Sequence, residues 1–412
     1  MSTPQADTFP TSQSQAMTRL QCAARRTLFR QLGMLRGGGI KLKDVDDNVY
    51  SFGEIDASLQ SEILVNSPAF YTELFFGGAN GAAEAWCLGY WHSERLVQLI
   101  RILVRNQELR RTFEGGLTQF LSPFRRLRHW MQRNTKRGSR VNIASHYDLG
   151  NDFFALFLDE SMMYSAAVFD PPEVDLETAS KVKLRQICDK LSLKRGQHIL
   201  EIGSGWGGFA EFAATEYDCR VTTTTISQEQ YSYTCDRIAE AGLTDRVTVL
   251  KEDYRELSGL FDHIVSIEMI EAVGAENYRR YFELAARRLR NGGRFVMQAI
   301  TIGDDEFDRA RREVDFIKRY IFPGSCIPSL LALRDASRSA RLEWIGQTDI
   351  TTDYARTLAE WRRRFVSRRA AIAELGLPES FQRMWFYYFC YCEAGFTEGY
   401  IGDFQITLRK PL

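Results

Sequence analysis

His198-Ile199-Leu200-Glu201-Ile202-Gly203-Ser204-Gly205-Trp206-Gly207-Gly208 runs from an apolar stretch straight into glycines. The first half has the composition of a buried strand, and Gly203, Gly205 and Gly208 follow as a tight turn and a helix start. Glycines let the backbone pass close to a ligand, and a helix N-terminus adds unpaired N–H groups. The spacing fits G-x-G-x-x-G, which by itself describes a dinucleotide site or a turn that holds nothing. Two features turn it away from a nicotinamide dinucleotide. Glu201 stands where a carboxylate would crowd a pyrophosphate, and the next strand, 219–226, ends without the Asp or Glu that would hold the ribose.

Around this loop the pattern alternates. Residues 197–202, 220–226, 247–251, 261–268 and 294–300 read as strands, with helical stretches near 208–217, 227–242 and 275–290. Such alternation predicts an α/β fold, a doubly wound Rossmann-like parallel sheet covered by helices on both faces. Ligands then meet the carboxyl ends of the strands, at loops 203–208, 225–230, 252–255, 266–274 and 298–303. In that setting the glycine loop resembles the first motif of class I S-adenosylmethionine methyltransferases. Residues 304–400 read as helical and aromatic-rich, with Trp385, Phe386, Tyr387, Tyr388, Phe389, Tyr391 and Phe396. They form either a packed core or the cover of an apolar substrate channel.

Upstream, residues 18–120 form a smaller α+β domain. Residues 40–43 and 49–52 read as a hairpin, and 82–95 and 96–104 as helices. Residues 121–140 carry Arg125, Arg126, Arg128, Arg133, Lys136, Arg137 and Arg140 without an acid, interleaved with Phe124, Leu127, Trp130 and Met131. This is a surface for anionic membranes or a solvated basic linker. Residues 1–17 are polar and lack an apolar signal core, so they read as a disordered leader. The 412 residues give room for more than one domain, and 53 basic against 53 acidic residues leave no global field for nucleic acid. The eight cysteines form no C-x-x-C pair, which favours reduced thiols and no metal. With no apolar run of about 18 residues, a cytoplasmic protein, at most peripheral at the inner membrane surface, is expected.

Ser145-His146-Tyr147-Asp148-Leu149-Gly150-Asn151-Asp152-Phe153-Phe154 resembles the cyclopropane fatty acid synthase family. So do Met163-Tyr164-Ser165, the glycine loop, Ile226-Ser227-Gln228-Glu229-Gln230, Ser266-Ile267-Glu268-Met269-Ile270-Glu271 and Arg319-Tyr320-Ile321-Phe322-Pro323. The resemblance runs from about residue 40 to the C-terminus and makes 141–412 the catalytic domain. It implies S-adenosylmethionine as methyl donor and unsaturated phospholipid acyl chains at the membrane surface as partners, with a homodimer left open. By position it places Tyr164, Ser165 and the backbone of Gly203 and Gly205 at the donor's methionine end. Thr225, Ile226 and Gln230 would flank its ribose, Asp253 and Tyr254 the adenine, and Ser266 the methionyl amine.

The implied chemistry is attack of an alkene on a sulfonium methyl, leaving a carbocation that aromatic faces and an anion stabilise. Ring closure then needs a base, which the family is understood to supply as bicarbonate held by Cys, Glu, His, a backbone group and Tyr. Here Glu271, Tyr320 and the backbone of Ile300 stand at three of those places, while Ala166 replaces the Cys and Gln298 the His. Two polar partners of the anion are lost, each worth on the order of 1 kcal/mol net. Gln298 still donates a hydrogen bond but cannot titrate. The catalytic candidates are therefore Glu271, Tyr320 and Gln298, and a cyclopropane or a methyl-branched product without ring closure both stay open. The alternatives are a methyltransferase for a small soluble acceptor and a non-catalytic lipid- or nucleotide-binding scaffold.

Overall fold

The computed structural model describes residues 17–54, 57–107 and 149–412, so the expected leader (but for residue 17), the basic segment 121–140 and the motif residues 145–148 lie outside the described residues. The chain divides into two units, residues 1–121 with 379–387 and residues 122–378 with 388–412. The first thus takes in a short piece of the expected catalytic domain.

In the first unit, helix α1 (Arg19–Leu32) starts on a capping box, Thr18 and Gln21 satisfying each other's backbone N–H groups. The expected hairpin is β1 (Gly39–Lys43) against β2 (Val49–Gly53), and β3 (Gln60–Val65) joins β1 in parallel. The helix expected over 82–95 is displaced. Helix α2 runs Ala69–Cys87, and the N–H groups of Leu88, Gly89 and Tyr90 turn back onto the carbonyls of Glu84, Trp86 and Ala85. The chain is thereby freed for a short β4 (Trp91–His92) that pairs with β3, before α3 (Leu96–Arg105). Arg383 lies over the ring of buried Trp86 and donates to the Trp86 and Trp91 carbonyls.

The second unit opens with α4 (Asn151–Ala155) and α5 (Leu176–Leu191). The expected alternation follows as β5 (His198–Ile202), α6 (Gly208–Glu216), β6 (Arg220–Thr224), α7 (Gln228–Glu240), β7 (Val247–Leu250), β8 (Phe261–Ile267), α8 (Tyr278–Arg288) and β9 (Leu289–Ile302). Then come α9 (Asp304–Ala310), α10 (Leu330–Ser339), β10 (Glu343–Asp349), α11 (Thr351–Ser367), α12 (Arg369–Glu374), α13 (Glu379–Thr397, of which 379–387 belong to the first unit) and β11 (Ile401–Arg409). The seven strands are ordered β10-β11-β9-β8-β5-β6-β7. β5 to β9 are parallel where they pair, while β11 enters antiparallel between β9 and β10.

Residues 304–400 are therefore not wholly helical, and the sheet is not wholly parallel. β11 is drawn in because Ile406 and Leu408 bury their side chains in the core on one face of the sheet, beside Phe295 and Met297 of β9. Neighbouring residues on each strand feed opposite faces: Leu200, Ile264 and Phe295 join one cluster, Ile199, Val265 and Val296 the other. Chain order reverses at β5, flanked by β8 and β6, which opens a crevice at the carboxyl ends of these strands. Among the described residues no helix is long and apolar enough to cross a membrane.

Candidate active site

The glycine loop sits at that crevice. The N–H groups of Gly203 and Ser204 both donate to the Thr224 carbonyl at the end of β6, which fixes the turn against the neighbouring strand. Gly205 has φ +50°, and a Cβ added there would meet nothing of the protein within 4 Å, so the open side of this backbone faces the crevice. Gly208 is needed for another reason: a Cβ would stand 2.6 Å from the Ser161 carbonyl oxygen. Its absence lets residues 161–165 lie directly across the start of α6. Trp206 is buried and donates through Nε1 to Asn151 Oδ1 at 2.7 Å, tying the loop to α4.

Glu201 ends in the interior beneath this loop, with Oε2 buried and unpartnered. Burial pushes its carboxyl up to about 8, against the pull of Thr223 and Lys183. An orphaned acceptor beside an open glycine backbone fits a ligand with hydrogen-bond donors, such as the amino acid end of S-adenosylmethionine.

Of the expected donor-binding residues, Thr225, Ile226 and Gln230 come together after β6. Thr225 Oγ1 donates to Gln230 Oε1 at 2.8 Å, and Ser227 caps α7 by accepting from the Gln230 N–H. Tyr164 keeps part of its surface exposed, and its hydroxyl donates to that of Tyr388 at 3.0 Å. Ser165 is buried and accepts from Lys183 Nζ at 2.7 Å. Asp253, Tyr254 and Ser266 turn toward protein partners. The Asp253 carboxylate takes the Arg255 guanidinium through both oxygens, the Tyr254 ring packs edge-on to Tyr281, and Ser266 donates to the Ile202 carbonyl at 3.2 Å.

Glu271, Gln298, Ala166 and Ile300 do converge, together with a residue the sequence reading passed over. Glu268 follows β8 in a left-handed conformation (φ 47°). Its Oε1 accepts from the Ala166 N–H at 2.8 Å and Gln298 Nε2 at 2.7 Å, and its Oε2 from the Tyr354 hydroxyl at 2.7 Å. The two positions that depart from the resembled pattern, Ala166 and Gln298, are thus the ones that hold this carboxylate. Gln298 is oriented by a chain of donors. Lys190, which can only donate, bonds Gln405 Oε1, and Gln405 Nε2 bonds Gln298 Oε1, so the Gln298 NH₂ must face Glu268. The signal was present in the sequence as a second acid in Ser266-Ile267-Glu268-Met269-Ile270-Glu271, beside an unusual Ala and Gln elsewhere.

The Ile300 N–H, assigned by position to a bound anion, donates to Glu271 Oε1 at 2.6 Å. Of the groups assigned to a bicarbonate, the Ile300 N–H and the Gln298 amide are therefore committed to two carboxylates of the chain itself. The residues present do not fit bicarbonate. Tyr320 sits on a single π-turn, Ile317–Ile321, its ring against Phe316 and under the Arg319 guanidinium.

The charges around Glu268 sort themselves. Burial raises its pKa, but three donated hydrogen bonds and Lys183 favour its ionised form. Asp403, fully buried and facing Glu268 and Glu271, is pushed well above the carboxylate range and is the protonated member of the pair. Glu271 is raised to about 8 by burial and by the charge of Glu268, and its Oε2 is buried without a partner. Lys183, wholly buried, is lowered to about 8. From Tyr354 the wall continues in aromatic contacts, Tyr354 to Trp361 at 6.2 Å and Trp361 to Tyr164 at 5.3 Å, then Tyr164 to Phe154 at 5.4 Å and Phe322 at 6.2 Å. Glu268 itself retains accessible surface.

Comparison with known proteins fits this geometry. The family model described as mycolic acid cyclopropane synthetase matches residues 134–406. The tuberculostearic acid methyltransferase of Mycobacterium tuberculosis is 36% identical over 352 residues, 81% of this chain and 79% of its own. The cyclopropane-fatty-acyl-phospholipid synthase of Escherichia coli is 34% identical over 379 residues, 89% of this chain and 94% of its own. Among solved structures, a mycolic acid cyclopropane synthase complexed with SAH and CTAB superposes with a TM-score of 0.63 at 29% identity, covering 66% of this chain and 98% of that one.

Proposed function

The chain belongs to the mycolic acid cyclopropane synthetase family and is an S-adenosylmethionine-dependent methyltransferase acting on lipids; from that premise we propose that its acceptor is the double bond of an unsaturated acyl chain in a membrane phospholipid. The observation that carries this reading is the run of aromatic contacts from Tyr354 through Trp361 to Tyr164, next to a carboxylate held by three donors deep in the fold. An alkene is a weak nucleophile, so attack requires a dry, close approach to the donor. When bound, the donor supplies an electrophilic methyl on a sulfonium. The alkene π pair forms the new C–C bond, the C–S bond breaks with its electrons remaining on sulfur, and the neighbouring acyl carbon is left cationic. Aromatic faces and Glu268 stabilise that charge where it forms.

Glu201, Thr225, Gln230, Tyr164 and Ser165 would hold the donor along the glycine loop, with Asp253, Tyr254 and Ser266 supporting the loops from behind. Glu271, Tyr320, Gln298 and the Ile300 backbone shape the reacting end. The basic segment 121–140 brings the protein to the anionic membrane surface from the cytoplasmic side. A methyl-branched alkene and a cyclopropane both follow from the same cation, according to which proton leaves. Transfer of a tritiated methyl group from the donor to vesicles of monounsaturated phospholipid tests the acceptor class. Label is expected in the organic extract, and label confined to the aqueous extract with a soluble acceptor would overturn the reading.

A further inference from the structure

We propose that Glu268 is the base of this reaction, a carboxylate of the chain standing where relatives of the resembled pattern would hold a bicarbonate ion. The inference rests on the acyl-chain reading above and goes beyond it by naming the proton acceptor. Its ground is geometric. The backbone N–H of Ala166 and the side-chain N–H of Gln298 converge on Glu268 Oε1 at 2.8 and 2.7 Å, and Tyr354 holds Oε2 at 2.7 Å. The Cys and His expected at 166 and 298 would contribute a thiol and an imidazole to a free anion. At 166 the backbone N–H is what meets the carboxylate that follows β8, and at 298 a Gln offers a donor that cannot lose its proton to the base. The left-handed backbone at Glu268 (φ 47°) is an unusual conformation for a residue with a side chain, and it turns the carboxylate back toward Ala166. Four groups carry or can carry charge around it: Lys183 on α5, Asp403 on β11, Glu271 after β8 and the Tyr354 phenol on α11. Lys183 and the three donated hydrogen bonds favour the ionised form of Glu268 against the burial that raises it, while Asp403 is pushed well above the carboxylate range.

The step balances without a further reactant. After methyl transfer the acyl chain is a carbocation. The Glu268 carboxylate takes one proton from it, and the C–H electron pair becomes either the third bond of a cyclopropane, if the proton comes from the new methyl, or a C=C bond, if it comes from a carbon beside the cation. Glu268 becomes a neutral carboxylic acid and releases its proton to water after product leaves. Glu271, whose Oε1 is engaged by the Ile300 N–H, shapes the site beside it.

The test uses the full chain, donor and monounsaturated phospholipid vesicles, with CO₂-free buffer in one arm and added bicarbonate in the other, and reads lipid product by mass spectrometry. The wild type is expected to turn over at the same rate in both arms. Glu268→Gln is expected to lose roughly a hundredfold or more in turnover while S-adenosylhomocysteine affinity by calorimetry is retained, which also confirms folding. Glu268→Gly suits the left-handed backbone and vacates the space beside the Ala166 N–H, so it should be slow in CO₂-free buffer and rescued by bicarbonate. Wild-type turnover that requires bicarbonate would overturn the assignment and leave the acyl-chain reading standing, as would full activity in both variants. Absence of any lipid product from the wild type in both arms would overturn the acyl-chain reading and the base assignment with it.

Discussion

Glu201 shows how a single side chain links site and stability. Its carboxyl is buried under the glycine loop and held up to about 8, with Oε2 unpartnered. In the unfolded chain the same group ionises in the ordinary carboxylate range. Between that range and about 8 the folded state therefore binds more protons, so this group's contribution to stability falls as pH rises and levels off above pH 8. Glu271, also raised to about 8, adds to the same slope. Lys183, lowered to about 8, acts in the opposite sense and at higher pH: its cost to folding is full below that value and is relieved as pH rises toward the usual lysine range. Glu201→Gln is expected to flatten, without abolishing, the fall in urea midpoint between pH 5 and pH 8 (roughly the range bracketed by the two states). An unchanged slope would contradict the assigned burial.

At the scale of elements, β11 joins the core to the chemistry. It lies antiparallel between β9 and β10, bringing Asp403 and Gln405 opposite Ile300 and Gln298. Lys190 at the end of α5 then sets both amides through Gln405 and so aims Gln298 at Glu268. Lys190→Met retains the packing of the stem but frees the Gln405 amide to flip. Turnover is expected to fall by about tenfold, equivalent to about 1.4 kcal/mol of barrier, with S-adenosylhomocysteine affinity unchanged; equal losses in both would mark a merely structural role. None of this relay was legible in the sequence, because β11 pairs with β9 across a separation of about a hundred residues and 304–400 reads as helical. The parallel strands and the glycine loop were legible, since period, apolar composition and turn residues there agree locally. Naming site residues by motif position carries less information, for a physical reason. Position in a motif says which loop a residue occupies, whereas the partners of Ser266 and Glu268 are set by neighbours distant in the chain.

For the whole molecule the proposed substrate raises the question of how the protein meets an acyl chain in a membrane. Equal numbers of acidic and basic residues leave no net attraction to a membrane, so a local patch must supply it. The acid-free segment 121–140 is the proposed candidate, and attraction between charges at a surface is screened over about 8–10 Å at physiological salt. Replacing Arg125, Arg126 and Arg128 with Gln should weaken co-sedimentation with anionic vesicles, most clearly at low salt, and leave donor affinity intact. Unaltered sedimentation at low salt would mean that lipid is engaged elsewhere. The central claim, methylation of an acyl double bond, is tested most directly by the mass of the acyl chain itself. Monounsaturated phospholipid vesicles would be incubated with the protein and a donor whose methyl is fully deuterated, and the released fatty acids fragmented. The expected result is a chain heavier by one labelled carbon located at the former double bond, its deuterium content reporting whether the proton lost came from the new methyl. Unlabelled acyl chains, with the label in the headgroup or in a soluble product, would contradict the account.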